Sequence, residues 1–302
     1  MRRRRRKRQK LLFIDTNILL DFYRARTDAG IALLKRIDAL QDKLITTYQV
    51  EMEFKKNRQK VILESLVALK PPEAFITAPA FLAEAKTVEM MKRRMQDTRK
   101  RVTKLRDRIK RILDKPFLHD PVYKIAQRVF AGESQCSLKL TSDELSLIRR
   151  QAWRRFILGY PPRKKDDTST GDSVNWEWIV RCVQRTNHDV VIVSRDADYG
   201  IVIDGQAYPN DWLAQELRTR VNQQRKLLLF TRLSEALREF EINVSKEEEQ
   251  EEEIQLAAKP SIGREDMVKQ IEEFIKSSAF EELLTKDPAE IRPVWAKGGS
   301  KS

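Results

Sequence analysis

Four groups of acidic residues stand where α/β proteins do chemistry. Asp15 directly follows the apolar run Leu11 to Ile14. Glu51 and Glu53 come soon after a second run that begins at Leu44, and Asp196 and Asp198 follow a third at Val190 to Val193. Asp172 follows Gly171, at the start of a segment with helical periodicity. An open parallel sheet holds its ligands beyond the carboxyl ends of its strands, which is where the acids that follow runs would sit. Carboxylates crowded within a few ångströms raise one another's pKa unless a cation compensates them. A cluster of this kind therefore points to a hard cation that prefers oxygen ligands, Mg²⁺ or Mn²⁺.

Each acid also has a structural reading. Asp15 and Asp172 could cap the helices that follow them, since Asp is a favoured N-cap. Glu51 and Glu53 could be exposed helix residues, and Asp196 and Asp198 turn formers. The coincidence of all four places favours a shared site. Other metals fit poorly, because His119 and His188 are the only histidines and Cys136 and Cys182 lack metal-ligand spacing.

The elements that must position these acids follow from the apolar pattern. Leu11 to Ile14, Leu44 to Thr47, Val190 to Val193 and Leu227 to Phe230 read as strands buried in a parallel sheet. Helices are expected from Ile18, from Gln49 to Leu69 up to Pro71-Pro72, from Asp172 to about Arg185, from Asp211 to Val221 and from Ser234 to Phe240. Between about Pro79 and Lys115, Val88, Met91, Met95, Val102, Leu105, Ile109 and Ile112 recur at three, four or seven residues, which predicts one long amphipathic helix or two in series. Its other face is crowded with Lys and Arg from Lys92 to Arg111. A further helical region is expected over 121–158, and a loop over 161–167.

The 302 residues suffice for one large domain with additions. A hydrophobic fraction of 41% supports a globular core, while a charged fraction of 34% and a net charge of +14 suggest a polyanionic partner. The first nine residues read as a basic arm. The apolar stretch behind it is broken at once by Asp15, so it is not expected to act as a signal peptide, and no segment approaches a membrane span. A cytoplasmic protein with no membrane partner is expected. A phosphatase-like hydrolase is disfavoured because Asn17 stands where its second Asp would be, and no Gly-rich loop supports a nucleotide enzyme.

Taken in order, Phe13-Ile14-Asp15-Thr16-Asn17, Glu53-Phe54-Lys55-Lys56-Asn57-Arg58, Gly171-Asp172-Ser173-Val174-Asn175-Trp176-Glu177 and Ser194-Arg195-Asp196-Ala197-Asp198-Tyr199 resemble the PIN-like domain of bacterial proteins. The resemblance covers residues 10 to about 240. It implies a three-layer α/β/α fold with a central parallel sheet, and an acidic pocket that binds Mg²⁺ or Mn²⁺ and cleaves phosphodiesters, usually in RNA. On this resemblance Asp15, Glu53, Asp172 and Asp196 are the catalytic metal ligands, with Asp15 central and Asp198 accessory. Asn17, Asn175 and Arg58 are supporting candidates, and Lys56 and Arg58 could orient phosphates or be solvated helix residues. Glu177, five residues beyond Asp172, falls about 140° round the helix and should point elsewhere.

The expected organisation is a basic arm (1–9), a PIN-like domain (10–242) with a basic helical insertion at about 79–160, an acidic linker (243–262) whose glutamate-rich stretch is extended chain or an exposed helix, and a small helical C-terminal region (263–302). Nucleic acid, RNA before DNA, would lie against the arm, Lys56 and the basic helix, with Arg93, Arg94, Lys100, Arg101, Lys104 and Arg108 as phosphate contacts. The glutamates from Glu247 to Glu253 could lie on that helix and compete with substrate. The expected activity is that of an endoribonuclease serving as toxin, defence effector or RNA-processing enzyme. The alternative is a catalytically silent nucleic-acid- or partner-binding module. The insertion and C-terminal region are candidate surfaces for a homo-oligomer or a protein partner.

Overall fold

A computed structural model describes residues 9–68, 81, 85–163 and 169–257. They belong to the first of the two compact units into which the chain divides, Met1–Ala258. The expected basic arm (save Gln9), the Pro71-Pro72 helix stop, the Lys-rich half of the loop at 161–167 and the C-terminal region lie outside the described residues.

The chain opens with β1 (Lys10–Ile14), α1 (Thr16–Asp21) and α2 (Asp28–Lys35), then runs through 3₁₀ turns into β2 (Leu44–Thr47). Next come α3 (Tyr48–Ala68), α4 (Lys86–Asp114), the single turn α5 (Pro116–His119), α6 (Pro121–Ala131), the two-residue β3 (Ser137–Leu138) and α7 (Leu145–Leu158). The second half comprises α8 (Gly171–Thr186), β4 (Asp189–Val193), the hairpin β5 (Gly200–Ile203) and β6 (Gln206–Pro209), α9 (Asp211–Arg220), β7 (Leu227–Phe230), α10 (Leu233–Arg238) and α11 (Lys246–Ala257).

Five strands form one parallel sheet in the order β3-β2-β1-β4-β7, with helices on both faces in a three-layer α/β/α arrangement. The four longer strands are the apolar runs of the sequence. β1 and β4 lie at the centre, and each buries almost every side chain, which is why neither shows apolar-polar alternation. Trp176, Trp178, Ile179 and Val183 on α8 and Phe54 on α3 complete the core against the sheet. From β1 the chain moves outward to β2 on one side, then returns to β4 on the other. The switch point therefore lies between the carboxyl ends of β1 and β4, where a parallel sheet leaves its ligand crevice.

Two expectations meet a different structure, and one element has no expectation attached to it. The helical region over 121–158 is two helices separated by β3, an edge strand too short to leave a periodic trace. The hairpin β5–β6 turns at Asp204-Gly205, both with positive φ (51° and 79°), as a two-residue turn demands. The acidic stretch is the helix α11 over most of its described part, as one of its two readings had it, but not an exposed helix: it packs on α2 and α10, with Glu248, Glu251 and Glu252 buried. Glu252 accepts from the backbone N–H groups of Leu233 and Ser234, and Glu251 from the N–H of Arg26 and the hydroxyl of Thr27. Arg36, Arg238 and Arg232 pair with Glu248, Glu249 and Glu253. These glutamates are occupied in holding α11 to the core and do not lie along α4. No helix among the described residues is long and apolar enough to cross a membrane.

Candidate metal centre

The site begins with the last hydrogen bond of β1. Asp15 N–H donates to the carbonyl of Val193 at 2.9 Å, which ties the ends of β1 and β4 together. The Asp15 side chain is only 5% exposed. Its Oδ1 accepts from Thr16 N–H at 2.6 Å, the N-cap of α1. Its Oδ2 accepts from Asn17 Nδ2 at 2.8 Å and from Ser194 Oγ at 2.5 Å. The capping reading of Asp15 is therefore correct and compatible with a place in the acidic site. All three donors are neutral, so nothing cancels its charge. Burial first, and then the charges of Asp196 and Glu53, push its carboxyl up to about 6 against the hydrogen bonds from Ser194 and Thr16.

Glu53 reaches the site from the second turn of α3. Its Oε1 accepts from Gln49 Nε2 at 2.6 Å and its Oε2 from Thr16 Oγ1 at 3.2 Å. Gly171 makes this approach possible. A Cβ there would stand 2.5 Å from Gln49 Nε2 and 2.7 Å from Glu53 Oε1, so any larger residue would push the ends of these two side chains out of their present hydrogen bond. Asp172 follows within that turn. Thr170 occupies the N-cap position, so the capping reading of Asp172 does not hold.

The loop after β4 brings the remaining acids. Asp196 N–H donates to Ser194 Oγ at 3.0 Å, and Tyr199 N–H to the Asp196 carbonyl at 3.2 Å, closing a turn. Asp172, Asp196 and Asp198 each offer a carboxylate oxygen, and these oxygens lie within 4.8 Å of one another. Asp15 and Glu53 stand beside this trio, felt through their charges. Tyr199 marks where the fields converge. Its ring packs on Phe13, its hydroxyl is buried without a hydrogen-bond partner among the described residues, and burial followed by the charges of Asp172, Asp15, Asp196 and Glu53 pushes its phenol well above the ordinary value.

The other candidates fall into three sets. Asn17 is in the site, bracing Asp15 and accepting from Arg195 N–H at 3.4 Å. Asn175 is fully buried one turn beyond Asp172, where its Oδ1 accepts from Thr47 Oγ1 at 2.6 Å, linking α8 to the end of β2. Arg58 is elsewhere. It is buried against Asp120 at 2.8 Å, with Tyr23 and the Ile112 carbonyl as further partners, so it joins α3, α4 and α6 rather than meeting phosphate. Glu51 pairs with Lys55 at 2.6 Å, and Lys56 is exposed. Glu177 points away from the acids into a buried network with Arg155 and Arg220. Arg93, Arg94, Lys100, Arg101, Lys104 and Arg108 lie along α4, none of whose residues is buried.

Ser194, Thr16, Gln49 and Tyr199 carry the site's positioning but were not candidates. Thr16, Ser194 and Tyr199 stand inside the quoted motifs, and their polar groups close to Asp15, Asp196 and Asp198 are the signal the sequence offers.

The residues fit a hard divalent cation. The donor set is all oxygen, the charge on Asp15 and Glu53 is met by neutral donors alone among the described residues, and the buried Tyr199 hydroxyl, within the field of these acids, has no hydrogen-bond partner among the described residues. Comparison with known proteins agrees. The family model described as the PIN domain matches residues 12–199, from β1 through Tyr199, and proteins of that family are generally metal-dependent nucleases. No curated protein and no solved structure matches the chain.

Proposed function

This chain belongs to the PIN domain family, and we propose that it is a divalent-metal-dependent nuclease that cuts internal phosphodiester bonds of RNA. The observation that carries the reading is the trio Asp172, Asp196 and Asp198, with oxygens within 4.8 Å, gathered beside Asp15 and Glu53 at the switch point of the sheet. Mg²⁺ or Mn²⁺ held by these carboxylates would supply Lewis-acid stabilisation of the phosphate charge and acidify water for attack.

The side chains themselves do the holding and aligning. Three donors lock the Asp15 carboxylate in one orientation, and Ser194 Oγ couples it to the Asp196 backbone. Thr16 and Gln49 fix both oxygens of Glu53. Asp15 and Glu53 are thus preorganised by neutral groups that leave their negative charge intact. No histidine stands in these motifs, so proton movement falls to the carboxylates and solvent. A proton and a cation compete for Asp15, whose carboxyl is raised to about 6. Tyr160 and Trp212, with ring centroids 5.3 Å apart and 40% and 45% exposed, stand near the hairpin base, where Asn210 N–H meets the Tyr199 carbonyl. Half-exposed aromatic faces of this kind stack unpaired bases, which favours a single-stranded substrate.

The test is cleavage of circular and end-labelled single-stranded RNA, with DNA of the same sequence alongside, in Mn²⁺, Mg²⁺ or EDTA. Metal-dependent opening of the RNA circle, lost in Asp172→Asn, is the expected result. Binding without cleavage in every metal would favour the silent-module reading.

A further inference from the structure

Helix α4 is 29 residues long, about 43 Å at 1.5 Å per residue, yet none of its residues is buried. Among the described residues it meets α3 and α5, with Arg58 donating to the Ile112 carbonyl near its C-terminal end. Its apolar residues are not scattered. Beginning at Val88, alternating steps of three and four residues reach an apolar side chain every time through to Ile112, except at Thr98. That is a heptad seam sustained over the whole helix, the pattern that buries itself against another helix. Within it Met91 and Leu105 are each 46% exposed.

The acids of α4 are kept away from this seam, while cations occupy both its flanks and the outer face. With Val88 at position a, the flanking e and g positions between Met91 and Ile109 are Lys92, Arg94, Arg99, Arg101, Arg106 and Arg108, cations without exception. The helix's acids, Glu89, Asp97, Asp107 and Asp114, all fall on the outer positions b, c and f. A second copy is a poor partner. Parallel pairing sets g against e of the other helix, and antiparallel pairing sets e against e and g against g, so cation meets cation either way. Nucleic acid would satisfy the cations but leave the aliphatic seam in water, and α4 contains no Phe, Tyr or Trp on which a base could stack.

We propose that α4 is a heterotypic docking helix whose occupant is an amphipathic helix of another protein, with apolar a and d positions and acidic residues at e and g. This surface is separate from the acidic pocket, and its use does not depend on the nuclease reading.

The probe is a labelled synthetic four-heptad peptide with Ile and Leu at a and d and Glu at e and g, titrated into the full-length protein by fluorescence anisotropy. Two comparison peptides carry Lys in place of Glu, or Ser in place of Ile and Leu with the Glu kept. Expected are saturable one-to-one binding of the first peptide, at least 100-fold weaker binding of the other two, and a loss of similar size in Val102→Lys/Leu105→Lys protein. Circular dichroism and metal-dependent cleavage of that variant should match wild type, because the seam lies outside the acidic site. Failure of the Glu peptide to bind would overturn the proposal. Equal binding of the Ser-seam peptide would also overturn it, by making α4 a general polyanion surface such as nucleic acid uses. So would a dimer in sedimentation that the double substitution dissolves, since the occupant would then be a second copy.

Discussion

Two regions of this molecule gather carboxylates, and they do so in opposite ways. On α11 each glutamate that meets the core is given a donor that needs it. Glu252 closes the N-terminus of α10, Glu251 ties down the loop before α2, and Glu248 pairs with Arg36. Burial raises the Glu251 carboxyl, but the Thr27 hydroxyl and the N–H groups of Arg26 and Thr27 outweigh it, and the group ends below its ordinary value. At the end of β1, Asp15 receives three hydrogen bonds and still ends high, at about 6, because burial and its acidic neighbours win. Acidic residues that a fold uses for its own cohesion are brought to their partners. Those set against one another, as Asp15 is with neutral donors to orient it, are kept for something that arrives from outside.

The sharpest way to break this contrast is to remove one acid from each region. Asp196→Asn should lower metal-dependent cleavage about a thousandfold, the scale of several kcal/mol of lost charge stabilisation, while leaving thermal stability in EDTA nearly unchanged. Single-turnover kinetics with differential scanning calorimetry would check both halves.

The pH dependence of the metal-free protein sharpens it further. Asp15 rises from 3.8 in the unfolded chain to about 6 in the folded one, so folding binds its proton. Its stabilising contribution is complete below about pH 4 and is lost as pH rises through about 6, a change of ~3 kcal/mol. Urea unfolding in EDTA at pH 4 and pH 8 should show this loss in wild type relative to Asp15→Asn. A difference that does not change with pH would mean that Asp15 carries no such shift.

On the other side of the comparison, Glu252→Ala strips the acceptor from two backbone N–H groups and should cost about 2 kcal/mol of stability, read by urea unfolding, with cleavage per folded molecule unchanged. The smallest effect expected is at Ser194. Ser194→Ala frees one oxygen of Asp15 and releases the Asp196 N–H, which should reduce cleavage about tenfold at saturating metal and weaken metal binding by a similar factor.

Much of this was legible in the chain itself, for identifiable reasons. The central strands announce themselves because burial on both faces removes polar residues altogether, as in Leu11 to Ile14 and Val190 to Val193. Asp15, Asp172, Asp196 and Asp198 were readable because they follow β1, open α8 and follow β4. What stayed hidden depends on residues far apart in sequence. Ser194 matters only because β4 lies beside β1, and Gly171 only because α8 passes close to Glu53. Arg58 has the look of a phosphate contact until Asp120, 62 residues away, closes on it in the core. The glutamates of α11 look solvated until Arg26, Leu233 and Ser234 present their N–H groups. The hairpin has a sequence signal of its own, Asp204-Gly205 between Ile201-Val202-Ile203 and Gln206-Ala207-Tyr208.

The most direct test is calorimetric titration of Mn²⁺ into metal-free wild type and into the double variant Asp172→Asn/Asp196→Asn, at pH 7.5 and with folding verified by circular dichroism. Saturable binding in wild type that disappears in the variant is the predicted result. Undiminished binding in the variant, or no saturable binding in wild type, would contradict a metal centre at the switch point of the sheet.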